Sequence, residues 1–226
     1  MGTLTSLDKP FFLSQERDLT VLSFQAFGTR CKVKYSACES IDFEFASQKV
    51  VSWGQEFEQR YSRYLENSWL SLVNASAGIK PIPLTEEDVL VLRAGRFAFF
   101  QSNQMIDPSC LSLTALWQKA KEKNQLPQEH EISEAKELVN WENVQILEDE
   151  IYLPFQGMGL DFGGFGKEFA VDQVSEKLRN LNCENFLVDF GGDIFASGFA
   201  SEGISWKVGI EKPQGTDQPV FVANLT

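Results

Sequence analysis

Between Leu160 and Ala196 the chain spells out a strand end, a glycine loop, a helix, a strand, a tight turn and a return strand. No all-helical or all-strand fold accommodates that order. Leu160 to Phe162 reads as a short strand end and Gly163-Gly164-Phe165-Gly166 as a loop. Val171, Val174, Leu178 and Leu181 then recur at helical spacing. Phe186 to Phe190 is an apolar strand, Gly191-Gly192-Asp193 a turn, and Ile194 to Ala196 the strand that returns. A helix feeding a hairpin predicts an α+β fold, with mixed or antiparallel sheets and helices packed on them.

The rest of the chain fits that class. Leu19 to Tyr35 is apolar and β-branched with a turn signal at Phe27-Gly28-Thr29, which predicts two strands or one bent strand. Ala46, Val50, Trp53, Phe57, Tyr61 and Tyr64 predict a long amphipathic helix ending at Tyr64. The stretch SWLSLVNASAG reads as loop. Thr85 is placed to cap a helix whose first turn is Glu86-Glu87-Asp88 and whose expected apolar face is Val89, Leu92, Phe97 and Phe100. Pro108 closes that region. Leu111–Ala120 and Ile132–Trp141 are expected as short helices, and Val144–Leu147 with Ile151–Phe155 as a hairpin. Trp206–Ile210 and Val220–Leu225 complete the strands.

With 226 residues and 43% hydrophobic content, the chain has material for a large core. We expect an N-terminal extension over residues 1–18 and one domain over residues 19–226. The formal net charge of −12 repels nucleic acid and anionic membrane, so a phosphate ligand must be held locally. Cys31, Cys38, Cys110 and Cys183 form no CxxC pair, and His130 is the single histidine, which argues against zinc. Isolated buried thiols fit a reducing compartment. No apolar run is long enough to span a bilayer, and Met1 to Leu19 lacks a secretory apolar core, so the chain as written reads as cytoplasmic.

The segment LDFGGFGKEFAVD, Leu160 to Asp172, carries the most chemistry. Its glycines let backbone amides approach an anion, and the following helix offers unpaired N–H groups and a partial positive charge. Lys167 sits at that helix start, where it could neutralise a phosphate oxygen. Asp161 could take a ribose hydroxyl or a base edge, or orient a metal. The competing reading is a plain turn with a solvated lysine. It is not a Walker A loop. Gly191-Gly192-Asp193 and Asp107-Pro108-Ser109 invite turn readings, Tyr64 a core reading and Asn74 a loop-capping one.

In this order, these pieces resemble the FAD:protein FMN transferase family, also called the ApbE family. Phe27-Gly28-Thr29 is similar to the family's Met-Gly-Thr, and SRYLENSWLSLVN (Ser62 to Asn74) to its Tyr-x-x-x-Ser…Asn segment. Met105-Ile106-Asp107-Pro108-Ser109 resembles Ala-Phe-Asp-Pro-Thr, with Leu116-Trp117 downstream. LDFGGFGKEFAVD resembles LDLGGIAKGYAVD, and FLVDFGGDIFASG and Trp206…Gly209-Ile210…Pro213 follow in register. The family's glycine before Ala-Phe-Asp is Gln104 here, and its glycine after the lysine is Glu168.

The resemblance implies a T-fold-like architecture and an FAD site. It places Phe27, Tyr64, Met105, Ile106, Asp107, Asp161 and Lys167 against FAD, and the Gly164 carbonyl on Mg²⁺. It implies transfer of FMN from FAD to a threonine of an acceptor flavoprotein, with release of AMP. A flavin-binding module without transfer, a degenerate member kept for docking, and an FAD pyrophosphatase are the alternatives. No catalytic base is identified. Relatives continue past the position of Thr226 with further metal ligands, so the domain is expected to be C-terminally incomplete; they also include periplasmic and membrane-anchored lipoproteins, a location open to this chain if a leader was removed.

Overall fold

A computed structural model describes residues 10–36, 41–212 and 219–226. In chain order the elements are strands β1 (Phe11–Glu16), β2 (Leu19–Ala26) and β3 (Thr29–Ser36); helices α1 (Phe43–Tyr61) and α2 (Trp69–Ala75); β4 (Ile82–Pro83); α3 (Glu86–Gln101), α4 (Leu111–Lys123) and α5 (Glu129–Glu137); β5 (Gln145–Ile146) and β6 (Glu150–Tyr152); α6 (Gly166–Asn180); and β7 (Phe186–Phe190), β8 (Asp193–Ser197), β9 (Trp206–Ile210) and β10 (Phe221–Leu225). All named strand pairs are antiparallel, so the α+β class holds.

The chain forms two compact units. One comprises residues 1–56 and 170–226, the other Phe57–Phe169. The first carries a five-stranded sheet in the order β1-β2-β3-β7-β8 and the β9-β10 ribbon. Strand β3 buries Cys31, Val33 and Tyr35 at alternate positions, the period of a sheet with one core face. Strand β7 lies inside the sheet, between β3 and β8, and buries Phe186, Leu187, Val188 and Phe190, which explains an apolar run broken only by Asp189. Strand β1 lies in the segment expected as an extension; it pairs with β2 along its whole length. The β2–β3 turn uses Phe27 at φ 57° and Gly28 at φ 67°, the two left-handed positions of a tight hairpin. Gly191-Gly192 makes the β7–β8 hairpin turn, as read from the sequence. Cys38 and Pro213 lie outside the described residues.

The second unit holds α2 to α5 and a small sheet in the order β4-β6-β5. Several expectations are corrected here. SWLSLVNASAG is not a loop: Ser68 accepts from the Ser71 amide at 2.9 Å and caps α2, which buries Trp69, Leu70 and Val73. Helix α1 ends at Tyr61, so Tyr64 lies in the turn beyond it. The buried positions of α3 are Asp88, Val91, Leu92, Gly95 and Phe99; Phe97 and Phe100 are exposed. Helix α5 starts earlier than expected and Trp141 lies in a separate short 3₁₀ turn. Leu160–Phe162 forms no strand; its neighbour Gly159 makes an isolated parallel bridge to Cys110.

At the start of α3, Asp88 is fully buried. Its carboxylate accepts from Arg60 Nε at 2.8 Å, Arg60 Nη2, the Tyr61 hydroxyl at 2.7 Å, and the Thr85 amide and hydroxyl at 2.7 and 2.8 Å. Burial alone would raise the Asp88 pKa; the bonds from Arg60, Thr85 and Tyr61 outweigh it and hold the group below its ordinary value.

Candidate functional site

Within the second unit, two loop walls enclose a cleft of about 760 Å³. Gln104 to Pro108 forms one wall and Asp161 with Gly163 to Phe165 the other; Cys110 just before α4, Leu113 and Thr114 within it, and Val139, Asn140 and Glu142 complete it.

The first wall follows from how α3 stops. Asn103 and Gln104 both take positive φ, 51° and 67°, and the Gln104 amide turns back to Phe99 O at 2.7 Å. The chain reverses and throws Met105 outward, 85% exposed, with Ile106 beside it. Asp107 then folds over its own turn. Its Oδ1 accepts from the Ser109 amide and hydroxyl, each at 2.7 Å, and Oδ2 accepts from the Trp141 amide at 3.2 Å. The turn reading and the cleft-wall reading of Asp107 therefore both hold.

The second wall is held from behind. Asn74 clamps Leu160 by donating to its carbonyl at 3.0 Å and accepting from its amide at 2.6 Å. The Asp161 amide donates to Pro108 O at 2.8 Å, which joins the walls. The Asp161 side chain is nearly buried. Its Oδ1 accepts from the Gly163 amide at 2.9 Å; its Oδ2 accepts from Thr114 Oγ1 at 2.7 Å and pairs with Arg63 Nε at 3.0 Å. A carboxylate offers about four acceptor positions, so about one remains for a ligand donor.

Two of the three glycine amides expected to cradle an anion are already engaged within the loop. The Gly163 amide goes to Asp161, and the Phe165 and Gly166 amides go to Phe162 O at 3.2 and 2.7 Å. Gly164 faces Ile106: a Cβ there would lie 3.5 Å from Ile106 Cγ2. Phe165 is buried beneath, against Gly95 of α3, where a Cβ would come within 2.9 Å of its ring.

Of the residues expected at the site, Met105, Ile106, Asp107, Asp161 and Gly164 share the cleft. Lys167, the second residue of α6, does not line it. Tyr64 does not line it either, but is tied to Asp161 through Arg63. Phe27 belongs to the other unit. Sequence reasoning missed Arg63 and Thr114, because neither carries a motif of its own; only the fold brings them to Asp161.

The cleft has the volume of a small-ligand site and offers apolar walls with a few fixed polar groups. That fits the flat rings and hydroxyls of a nucleotide better than its phosphates. A magnesium ion is less well served. Among the described residues no three His, Cys, Asp or Glu side chains cluster as ligands, and Mg²⁺ takes six oxygens in near-ideal geometry. The Gly164 carbonyl would be one ligand, so these residues do not by themselves make up a magnesium site.

The ApbE family model matches residues 27–226. The chain is 27% identical over 215 residues to the FAD:protein FMN transferase of Treponema pallidum (strain Nichols), covering 88% of this chain and 59% of that one. It is 26% identical to the FAD:protein FMN transferase of Haemophilus influenzae, covering 90% and 62%. The crystal structure of Pseudomonas stutzeri flavinyl transferase ApbE in its apo form superposes with a TM-score of 0.81 at 22% identity, over 95% of this chain and 67% of that one. The chain thus spans about 60% of the length of these curated relatives. With its antiparallel α+β fold and the family match running from Phe27 to Thr226, the chain belongs to the ApbE family.

Proposed function

We propose that this chain is the FAD-binding portion of an FAD:protein FMN transferase. The observation that carries the proposal is the cleft itself. Met105 to Asp107 and Asp161, far apart in sequence but assigned by the family resemblance to one nucleotide, line it together. In this reading the apolar Met105–Ile106 wall takes a flat ring, and the remaining acceptor position of Asp161 takes a hydroxyl or amino donor. Phe27, Tyr64 and Lys167 are assigned to FAD as well, and the Gly164 carbonyl to Mg²⁺.

The reaction proposed joins a threonine Oγ of an acceptor flavoprotein to the FMN-side phosphorus and breaks the pyrophosphate P–O bond. AMP leaves with the bridging oxygen and the hydroxyl proton passes to buffer. What this chain contributes is binding and in-line orientation, the larger part of phosphoryl-transfer catalysis.

The absence of a ligand cluster for magnesium among the described residues favours a second reading, FAD binding without transfer. Incubation with FAD, Mg²⁺ and a threonine-bearing acceptor separates the two. Fluorescence that stays on the denatured acceptor, with equimolar AMP, supports transfer. Quenching of FAD fluorescence without AMP supports binding alone, and AMP with unmodified acceptor indicates hydrolysis. No FAD binding at micromolar ligand sinks both readings.

A further inference from the structure

Arg63 sits between a buried acid and an exposed ring, and no family motif assigns it a role. Its side chain is 16% exposed. Nε pairs with Asp161 Oδ2 at 3.0 Å, Nη1 donates to Gln118 Oε1 at 3.2 Å, and Nη2 donates to the Tyr64 hydroxyl at 2.8 Å. The same guanidinium lies over the Tyr64 ring, 4.3 Å from its centroid. Tyr64 is 69% exposed. A tyrosine that exposed ordinarily samples several rotamers, and ordering it on ligand binding costs free energy. Here the hydroxyl and one ring face are already engaged. The anchor is rigid because Asp161 is itself pinned by Thr114 and Gly163.

We propose that Arg63 is a positioning residue that holds Tyr64 as a preformed stacking platform for the flat ring of a flavin or adenine nucleotide. The planar guanidinium does what an ammonium cannot: it bonds the acid at one edge, the phenol at another, and covers the ring face. Asp161 thereby sets the glycine loop on one side and, through Arg63, the tyrosine platform on the other. This inference rests on the proposed FAD site, and one arm of its test does not.

The test uses the full 226-residue chain with Arg63→Met, Arg63→Lys, Tyr64→Leu and the double variant Arg63→Met/Tyr64→Leu. The ligand-independent arm is NMR relaxation of ¹³C-labelled tyrosine rings, with the Tyr64 signal assigned by its loss in Tyr64→Leu. The ring is expected to be ordered in the parent and mobile in both Arg63 variants. Equal order in parent and Arg63→Met, or full rescue by Lys, overturns the proposal. The ligand arm is FAD titration by fluorescence quenching. Arg63→Met should weaken FAD by about three- to tenfold, the cost of ordering one side chain. It should add little once Tyr64 is Leu, because the two act through one contact. A full, additive loss in the Tyr64→Leu background overturns the proposal. If the parent does not bind FAD, the function proposed above fails while the relaxation arm still decides the role of Arg63. If Arg63→Met does not fold, Arg63→Lys, which keeps a charge opposite Asp161, decides both arms.

Discussion

Cys110 lines the cleft without being a reactive thiol. Burial pushes its pKa up to about 11, and the negative charges of Asp161 and Asp107 act in the same direction. At pH 8 only about 0.1% is thiolate, against about 9% for a thiol at the ordinary value of about 9. Alkylation of Cys110 by iodoacetamide, read by peptide mass spectrometry on the native protein, should therefore run at least about 100-fold slower than for a model thiol. A comparable rate would contradict the burial. Because the folded state holds this proton more tightly, Cys110 makes stability fall as pH rises from about 9, the ordinary value, towards 11. Gln104 carries a different kind of residue-scale tension. A side chain takes φ 67° at a position where the family resemblance leads one to expect glycine. Gln104→Gly should relieve about 0.5–1 kcal/mol, raising Tm by about 2 °C in a calorimetric scan. A lower Tm would mean that the glutamine side chain supplies more than the backbone loses.

At the scale of elements, α3 shows what a sequence can and cannot disclose. Its start was legible, since Thr85 and the acids after it are a local signal, and the capping box forms between Thr85 and Asp88. Its buried face was not. Leu and Phe occur all round the helix, so periodicity alone gave the wrong phase, and the smallest buried position, Gly95, is chosen by the Phe165 ring pressed on it. Helix α2 was missed for a related reason: its seven residues are too short to establish a stripe, and its stability comes from the Ser68 cap and burial of Trp69 and Leu70. Strands β2, β3, β7 and β8 and the β7–β8 turn were read correctly because apolar, β-branched runs and a Gly-Gly pair are local signals, whereas β1 was taken for an extension and the strand expected at Leu160–Phe162 does not form. The site divides the same way. Motifs located Asp107 and Asp161, but the bonds that occupy their oxygens come from Ser109, Trp141, Thr114 and Arg63, which only tertiary structure supplies. Asp88→Asn tests the largest such hidden network. Removing its charge leaves Arg60 without a charged partner and should cost about 3 kcal/mol in urea unfolding at pH 7. The Asp88 pKa lies below its ordinary 3.8, so its contribution is present above that value and disappears as pH falls through the lower folded one. The gap between parent and variant should close in acid; a gap independent of pH would assign the loss to packing.

For the molecule as a whole, the net charge of −12 opposes approach of FAD, a dianion. Raising ionic strength from about 10 to 150 mM shortens the screening length from about 30 to 8 Å, so FAD association in stopped flow should quicken by about two- to fivefold. Slower association in salt would mean that a local positive field around Arg63 and Lys167 outweighs the global one. Among the described residues no helix is long and apolar enough to cross a membrane. The cleft has one further property at this scale. Its floor is sewn by main-chain bonds, Asp161 N to Pro108 O at 2.8 Å and Leu111 N to Gly159 O at 3.3 Å, beside the Cys110–Gly159 bridge. The walls can tilt at their rims but cannot part at the base without breaking that seam. The seam thus sets the base of the gap by backbone geometry, so widening it there breaks main-chain hydrogen bonds and not merely a side-chain rotamer.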